Sequence, residues 1–218
     1  MAMPDRCLLY YITDRSQFHG DESSRRSELL AKVAEAAGVG VDYIQLREKD
    51  LSGRELEELA REVVAVIREN SPVTRLLINS QTDVAMAIGA DGVHLRAEDV
   101  SPSDVRRAWQ LAARTPQTHK KFLIAASCHT PADVSRAEVE KCDFAVFAPV
   151  FGKTGITPPA GLTALREACN ARIPVLALGG VTIENAVSCL KAGAAGLAGI
   201  RLFQENRIED VVRALRAL

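Results

Sequence analysis

Gln45, Arg47 and Lys49 occupy alternate positions where a short apolar run, Asp42-Tyr43-Ile44-Gln45-Leu46, comes to an end. Read as a strand, that run places the three side chains on one face and Leu46 and Glu48 on the other. Donors gathered on one face, two of them cationic, suit a phosphate or diphosphate. The competing reading is a charged, solvated loop. Gly179-Gly180 stands before Val181-Thr182 and a helix-like run, where bare backbone N–H groups can approach an anion. Gly199-Ile200-Arg201 ends another apolar run and adds a cation, although glycines at such places also serve simple tight turns. His129, between Ser127-Cys128 and Thr130, is of a residue type that can move a proton in catalysis, or can sit at a helix start. His94 lies inside Gly92-Val93-His94-Leu95 and reads as a core or supporting residue; His19 and His119 lie in polar loops. Glu98-Asp99 is a carboxylate pair of the kind Mg²⁺ takes together with phosphate oxygens, and equally of the kind found at a solvated helix entrance.

An internal echo says what positions these residues. Gly40-Val41-Asp42, Gly89-Ala90-Asp91, Lys141-Cys142-Asp143 and Gly193-Ala194-Ala195 each close a helical stretch and open a strand. Their third positions, 42, 91, 143 and 195, lie 49, 52 and 52 residues apart. Four more strand candidates fall between or before them: Leu8 to Thr13, Leu76 to Asn79, Phe122 to Ser127 and Pro174 to Leu178. Helical periodicity fills the gaps over Glu28–Ala37, Gly53–Arg68, Gln81–Ile88, Pro102–Ala113, Pro131–Val139, Gly161–Cys169, Ile183–Lys191 and Ile208–Leu218. Eight strands alternating with eight helices predict an α/β fold, a single (β/α)8 TIM barrel spanning residues 1–218 as one domain. An open doubly wound sheet is the competing arrangement, but no G-x-G-x-x-G follows the first strand. In a barrel the carboxyl ends of the strands form the reactive mouth. Those ends carry Thr13-Asp14, Arg47-Glu48-Lys49, Asn79-Ser80, Arg96, Ser127-Cys128-His129, Lys153-Thr154, Gly179-Gly180 and Gly199-Ile200-Arg201.

Composition narrows the function. A formal net charge of −1 argues against a general nucleic-acid or membrane-surface binder, and 47% hydrophobic residues allow a sizeable core. Cys7, Cys128, Cys142, Cys169 and Cys189 show no CxxC spacing and no zinc geometry, so reduced thiols in a cytoplasmic protein are expected. Met1 to Arg6 is too short and polar for a signal peptide, no apolar run approaches membrane-span length, and neither G-x-S-x-G nor a P-loop is present.

Taken in order, a set of segments resembles the thiamine-phosphate synthases and their relatives, the thiazole tautomerases. It comprises Tyr11-Ile12-Thr13-Asp14, Gln45-Leu46-Arg47-Glu48-Lys49, Leu77-Ile78-Asn79, Gly89 to Leu95, Glu98-Asp99, Ser127-Cys128-His129-Thr130, Pro149-Val150-Phe151, Pro174 to Val181 and Ala192 to Gly196. The resemblance runs nearly end to end. It implies a small barrel that joins a hydroxymethylpyrimidine diphosphate to a thiazole phosphate and releases diphosphate. It further implies that Gln45, Arg47 and Lys49 hold the pyrimidine and diphosphate with Asn79 beside them, and that Ser127 lies near the reacting pyrimidine. Gly180, Gly199 and Ile200 would hold the thiazole phosphate, Lys153 and Thr154 belong to a phosphate-gripping loop, and Asp99 would ligate Mg²⁺. Ser127, His129 and Lys49 are the expected catalytic residues. The expected partners are these small phosphorylated pyrimidine and thiazole substrates; a homo-oligomer is compatible with the sequence, and oligomeric state stays open.

The chain departs from the family pattern at the same rim. Ser80 stands where a second metal carboxylate is usual, Arg96 where glycine is usual and Arg201 where serine is usual, and the loop Gly152-Lys153-Thr154-Gly155 is shortened. Either Arg96 and Arg201 supply fixed positive charge in place of a metal, or the reaction is the metal-independent tautomerisation, for which His129 would be the acid/base. Another phosphate-ligand barrel and a non-catalytic protein that binds a thiamine precursor are the remaining alternatives.

Overall fold

The structure is a computed structural model that describes residues 6–112, 121–152 and 159–218. Eight parallel strands close on themselves in chain order: β1 (Leu8–Ile12), β2 (Tyr43–Leu46), β3 (Arg75–Asn79), β4 (Gly92–Leu95), β5 (Leu123–Cys128), β6 (Phe144–Phe147), β7 (Val175–Ala177) and β8 (Gly196–Gly199). β1 pairs with β2 on one side, Ile12 opposite Gln45, and with β8 on the other, Tyr10 opposite Ala198. The outer ring is α1 (Glu22–Gly38), α2 (Gly53–Asn70), α3 (Thr82–Ala87), α4 (Pro102–Ala112), α5 (Pro131–Val139), α6 (Gly161–Ala168), α7 (Ile183–Lys191) and α9 (Ile208–Arg216), with a four-residue α8 (Arg201–Gln204) directly after β8. The expected barrel is the one observed. No helix among the described residues is long and apolar enough to cross a membrane.

Alternation along the strands builds two cores. Leu9, Tyr11, Ile44, Leu46, Leu76, Ile78, Val93 and Ile124 face outward and pack under the helices. Tyr10, Ile12, Leu77, Ala125, Phe144, Val146, Leu176 and Ala198 fill the barrel itself. Tyr10 meets Tyr43 and Phe144 edge-on at 5.9 and 5.5 Å between ring centroids, and Tyr43 stacks on Phe144 at 4.8 Å. These rings form an aromatic floor beneath the mouth. Two glycines complete it, because an added Cβ would come within 2.1 Å of Leu123 O at Gly92 and 2.2 Å of Leu8 O at Gly196.

The echo has a structural cause at the opposite, amino-terminal end of the barrel. Its Asp carboxylates accept backbone N–H groups of the neighbouring odd-numbered strands: Leu9 on Asp42, Leu76 on Asp91 and Ile124 on Asp143, each at 2.8 Å. Cations flank each one: Arg6 and Arg216 at Asp42, Arg75 at Asp91, Arg106 and Lys121 at Asp143. The first position of each echo reverses the chain out of a helix with a left-handed backbone, at φ 81°, 64° and 104° for Gly40, Gly89 and Gly193 and 60° for Lys141.

Boundaries shift where polar sequence hides the period. The helix expected from Glu28 begins at Glu22, because Asp21 accepts the Ser24 N–H and caps an exposed serine-rich turn. α8 was not expected: four residues are too few to show a helical period.

Lys141 is a non-glycine residue in the left-handed region, which costs roughly 1–2 kcal/mol, less what glycine loses in chain entropy, about 0.5–1 kcal/mol. Lys141→Gly should therefore stabilise the protein by about 0.5–1 kcal/mol and raise Tm by roughly 1–4 °C; scanning calorimetry that shows a lower Tm would contradict this account.

Candidate active site

Because the strands are parallel in a closed barrel, the residues after their carboxyl ends share one mouth. Gln45, Asn79, His94 and Ser127 continue the inward-facing alternation of Tyr43, Leu77, Gly92 and Ala125 and form a polar layer above the aromatic floor. Asn79 Nδ2 donates to Ser80 Oγ at 3.2 Å, and Ser127 Oγ lies 2.8 Å from His94 Nε2.

β2 ends at Leu46, and Glu48 holds the loop beyond it. That buried carboxylate accepts from Thr13 Oγ1 at 2.5 Å, from the Arg15 backbone N–H at 2.9 Å and from the Arg15 guanidinium at 3.1 Å. Thr13 Oγ1 in turn accepts the Arg47 N–H at 3.0 Å. Burial pushes the Glu48 carboxyl above its usual range, against the opposing pull of Thr13 and Arg15. Arg15 is itself buried and also grips Asp50 through two nitrogens at 2.8 and 2.9 Å. The face opposite Arg47 is thus a structural clamp, which leaves Arg47 half-buried and Lys49 exposed on the loop to α2. Sequence alone marked Glu48 only as the outward neighbour; its partner Arg15 gave no signal.

Arg96 is latched. Its Nε donates to Ser80 Oγ at 2.8 Å, its Nη2 to Asp99 Oδ1 at 3.0 Å, and its Nη1 lies 3.2 Å from Glu98 Oε1. The second Asp99 oxygen accepts the Arg96 backbone N–H at 2.7 Å. Both Asp99 oxygens are therefore engaged, and a guanidinium stands between Asp99, the expected metal ligand, and Ser80, which takes the place of the second carboxylate. Among the described residues no group of three or more His, Cys, Asp and Glu side chains could hold a metal ion. The donor set around Asp99 does not fit a protein-held Mg²⁺. Ser80 itself has φ 60°, a conformation that asparagine and aspartate tolerate better than serine.

On the far side of the mouth a cavity of about 490 Å³ opens over the ends of β7 and β8, lined by Gly179, Gly180, Val181, Thr182, Gly199, Ile200 and Arg201. Gly179 and Gly180 have φ 95° and 66°. An added Cβ would come within 2.7 Å of Pro149 at the first and of Phe151 O at the second. The glycines are thus required by the β6 loop as well as by any anion. Gln204 of α8 clamps Asp14, its Oε1 accepting the Asp14 N–H at 2.8 Å and its Nε2 donating to Asp14 O at 3.0 Å. That clamp fixes the short helix that begins at Arg201.

His129 is exposed beside the Thr130–Asp133 capping box of α5. Its Nδ1 lies 2.7 Å from Ala148 O and must donate to that carbonyl, which leaves Nε2 as the acceptor. Lys153 and Thr154 lie outside the described residues. The five cysteines are free, and burial raises each thiol to about 11 or 12, which argues against a thiolate nucleophile.

Comparison with known proteins places this geometry. A family model described as thiamine monophosphate synthase matches residues 9–203. A putative thiamine-phosphate synthase 2 of Aquifex aeolicus is 39% identical over 90% of this chain and 97% of its own length. A thiamine-phosphate synthase of Methanoculleus marisnigri is 36% identical over 95% of this chain and 93% of its own. The solved structure of thiamine phosphate pyrophosphorylase from Pyrococcus furiosus superposes with a TM-score of 0.78 at 28% identity, covering 96% of this chain and 94% of that one.

Removing one partner of a buried ion pair strands the other. Glu48→Ala should lower the unfolding free energy by about 3 kcal/mol, the low end for such pairs because Arg15 keeps Asp50 and Glu22. Urea unfolding that shows a loss under about 1 kcal/mol would mean the clamp is dispensable.

Proposed function

The chain belongs to the thiamine monophosphate synthase family, and from that premise we propose that it is a thiamine-phosphate synthase, joining hydroxymethylpyrimidine diphosphate to thiazole phosphate with release of diphosphate. The observation that carries this reading is the pairing of two anion-binding features across one polar mouth. Arg47 and Lys49 come after β2, and the glycine-lined cavity with Arg201 lies beyond β7 and β8. Two phosphorylated substrates need two such places, with a polar layer between them for a heteroaromatic ring.

Charge dictates the chemistry. The bond between the pyrimidine methylene carbon and the diphosphate oxygen breaks, and its electron pair leaves with the diphosphate. Arg47 and Lys49 stabilise that growing negative charge with hydrogen bonds fixed before the reaction begins. The clamp at Glu48, through Thr13, holds the backbone that carries Arg47. The methylene cation is shared with the pyrimidine ring, whose edge meets Gln45, Asn79 and Ser127. The thiazole nitrogen, delivered by its phosphate in the cavity at Gly180 and Gly199–Ile200, attacks the carbon with its lone pair. Protein-held Mg²⁺ is given no step, because Arg96 occupies its expected ligands. In place of that metal, Arg96 and Arg201 give the rim fixed positive charge. His129, with Nε2 free to accept, stands at the rim without a required step in this reaction.

The test is a coupling assay with the two substrates, read as thiamine phosphate formed and diphosphate released. Arg47→Ala should reduce kcat/KM for the pyrimidine diphosphate roughly tenfold or more, since a charged hydrogen bond is worth about 1.5–3 kcal/mol. A change of less than about twofold would remove Arg47 from the site.

Metal binding separates fixed charge from a metal centre. A guanidinium within roughly 6–7 Å opposes a cation by about 2–3 kcal/mol per unit charge at an effective dielectric near 20. Wild-type protein should bind Mg²⁺ weakly without diphosphate, and Ser80→Asp combined with Arg96→Gly should bind it more tightly and make turnover more metal-dependent. Calorimetric titration that finds tight Mg²⁺ binding by the wild type alone would contradict the assignment of Arg96.

A further inference from the structure

Within the barrel, three buried side chains form a hydrogen-bonded line that ends on Ser127. Gln45, Tyr10 and His94 are 1%, 0% and 3% exposed. Gln45 Nε2 donates to Tyr10 Oη at 2.9 Å. Tyr10 Oη lies 3.1 Å from His94 Nδ1, and His94 Nε2 lies 2.8 Å from Ser127 Oγ. None of these links was marked by the sequence, in which Tyr10 is one more apolar strand residue.

The two contacts of the His94 ring admit either tautomer, and one direction along the line leaves no buried proton without an acceptor. The amide nitrogen of Gln45 can only donate, so Tyr10 Oη accepts from it and spends its single proton on His94 Nδ1. A neutral imidazole has one donor and one acceptor, so His94 then carries its proton on Nε2 and gives it to Ser127 Oγ. Ser127 is left with its own proton free, and the open side of Ser127 is the mouth. Two conditions must hold. Tyr10 must stay protonated, and burial raises its hydroxyl far above the usual range. His94 must stay neutral; burial, reinforced by Arg47 and opposed by Asp99, holds it down at about 3. Those two are the charged groups that act on the ring, and Tyr10, the aromatic ring that meets it, stays uncharged near neutral pH.

We propose that Tyr10 and His94 are positioning residues that make Ser127 an obligate hydrogen-bond donor to a lone pair on the substrate ring. This rests on the synthase reading only for the identity of that ring, a pyrimidine; the direction of the relay stands on the side chains alone. Its consequence is selectivity. A ring nitrogen with a free lone pair satisfies the Ser127 proton, whereas a C–H at the same place leaves that donor unpaired in a water-poor site.

The experiment has two independent readouts. The first is nitrogen NMR of ¹⁵N-histidine-labelled wild-type protein without substrate, with His94 assigned by its loss in His94→Gln. His94 should be the Nε2–H tautomer, with Nδ1 unprotonated, throughout pH 5 to 8. A predominant Nδ1–H tautomer, or an imidazolium above pH 5, would overturn the relay whatever the enzyme's activity. The second is Tyr10→Phe, which deletes only the hydroxyl. It should mix the two tautomers and raise the pH at which His94 titrates, because a bond that favours the neutral ring is gone. In the coupling assay it should lower kcat/KM for the pyrimidine diphosphate about tenfold while the KM for thiazole phosphate stays the same. A pyrimidine analogue with C–H in place of the ring nitrogen should be discriminated against strongly by wild type and less by Tyr10→Phe and Ser127→Ala, in which no fixed donor is left unpaired. Unchanged kinetics in Tyr10→Phe would overturn the positioning role. The expected tautomer in a wild type that forms no thiamine phosphate would instead keep the relay and remove the synthase reading.

Discussion

Closing eight short strands into a cylinder forces every second side chain into a space that water barely enters. That constraint organises the whole molecule. At the amino-terminal end of the cylinder the chain satisfies it with aromatic rings and with glycines where even a Cβ would strike the next strand. Towards the mouth it places polar groups inside, and in the dry interior these must find one another. Gln45, Tyr10, His94 and Ser127 do so in a line. The polar layer is therefore a consequence of closure: the same alternation that buries Leu77 and Ala125 places Asn79 and Ser127 towards the mouth.

Charge is divided between scaffold and site. Glu48 and Arg15 are buried together, and their worth is positional, since the desolvation cost of two buried charges offsets much of their attraction. What they secure is the loop that carries Arg47 and Lys49. Arg96 shows the intermediate case, a half-exposed cation held by Asp99, Glu98 and a strained Ser80. A guanidinium has fixed shape and charge and cannot dissociate, so Arg96 and Arg201 keep the rim cationic at all ordinary pH.

The fold was legible because barrels repeat. The four echoes at 42, 91, 143 and 195 gave the period, and the strands between them show as apolar runs of the right length. The reason for the echo was not legible: a carboxylate that accepts the N–H of a neighbouring strand joins residues far apart in the chain, and Ala195 shows that the turn survives without it. The cationic and glycine-rich members of the site could be read from residue type at strand ends. The supporting members could not. Tyr10 looks like core, and Arg15 and Gln204 like polar loop residues, and each acquires its role only from a partner brought to it by closure. Ser80 and Arg96 were visible as departures, but only the structure joins them to Asp99.

The seam between the first and last strands has a consequence for how the protein is made. β1 needs β8, the loop after β1 needs Gln204, and Asp42 needs Arg216 near the end of the chain. At ribosomal speeds of about 5–20 residues per second, a nascent chain waits roughly 10–40 s between the appearance of its first strand and the arrival of that partner. Through that interval a growing sheet carries two open edges, which invite pairing with other chains. The last strand and the helices after it thus act as a latch whose timing, set by translation, decides how long the sheet edges of each new molecule stay unpaired.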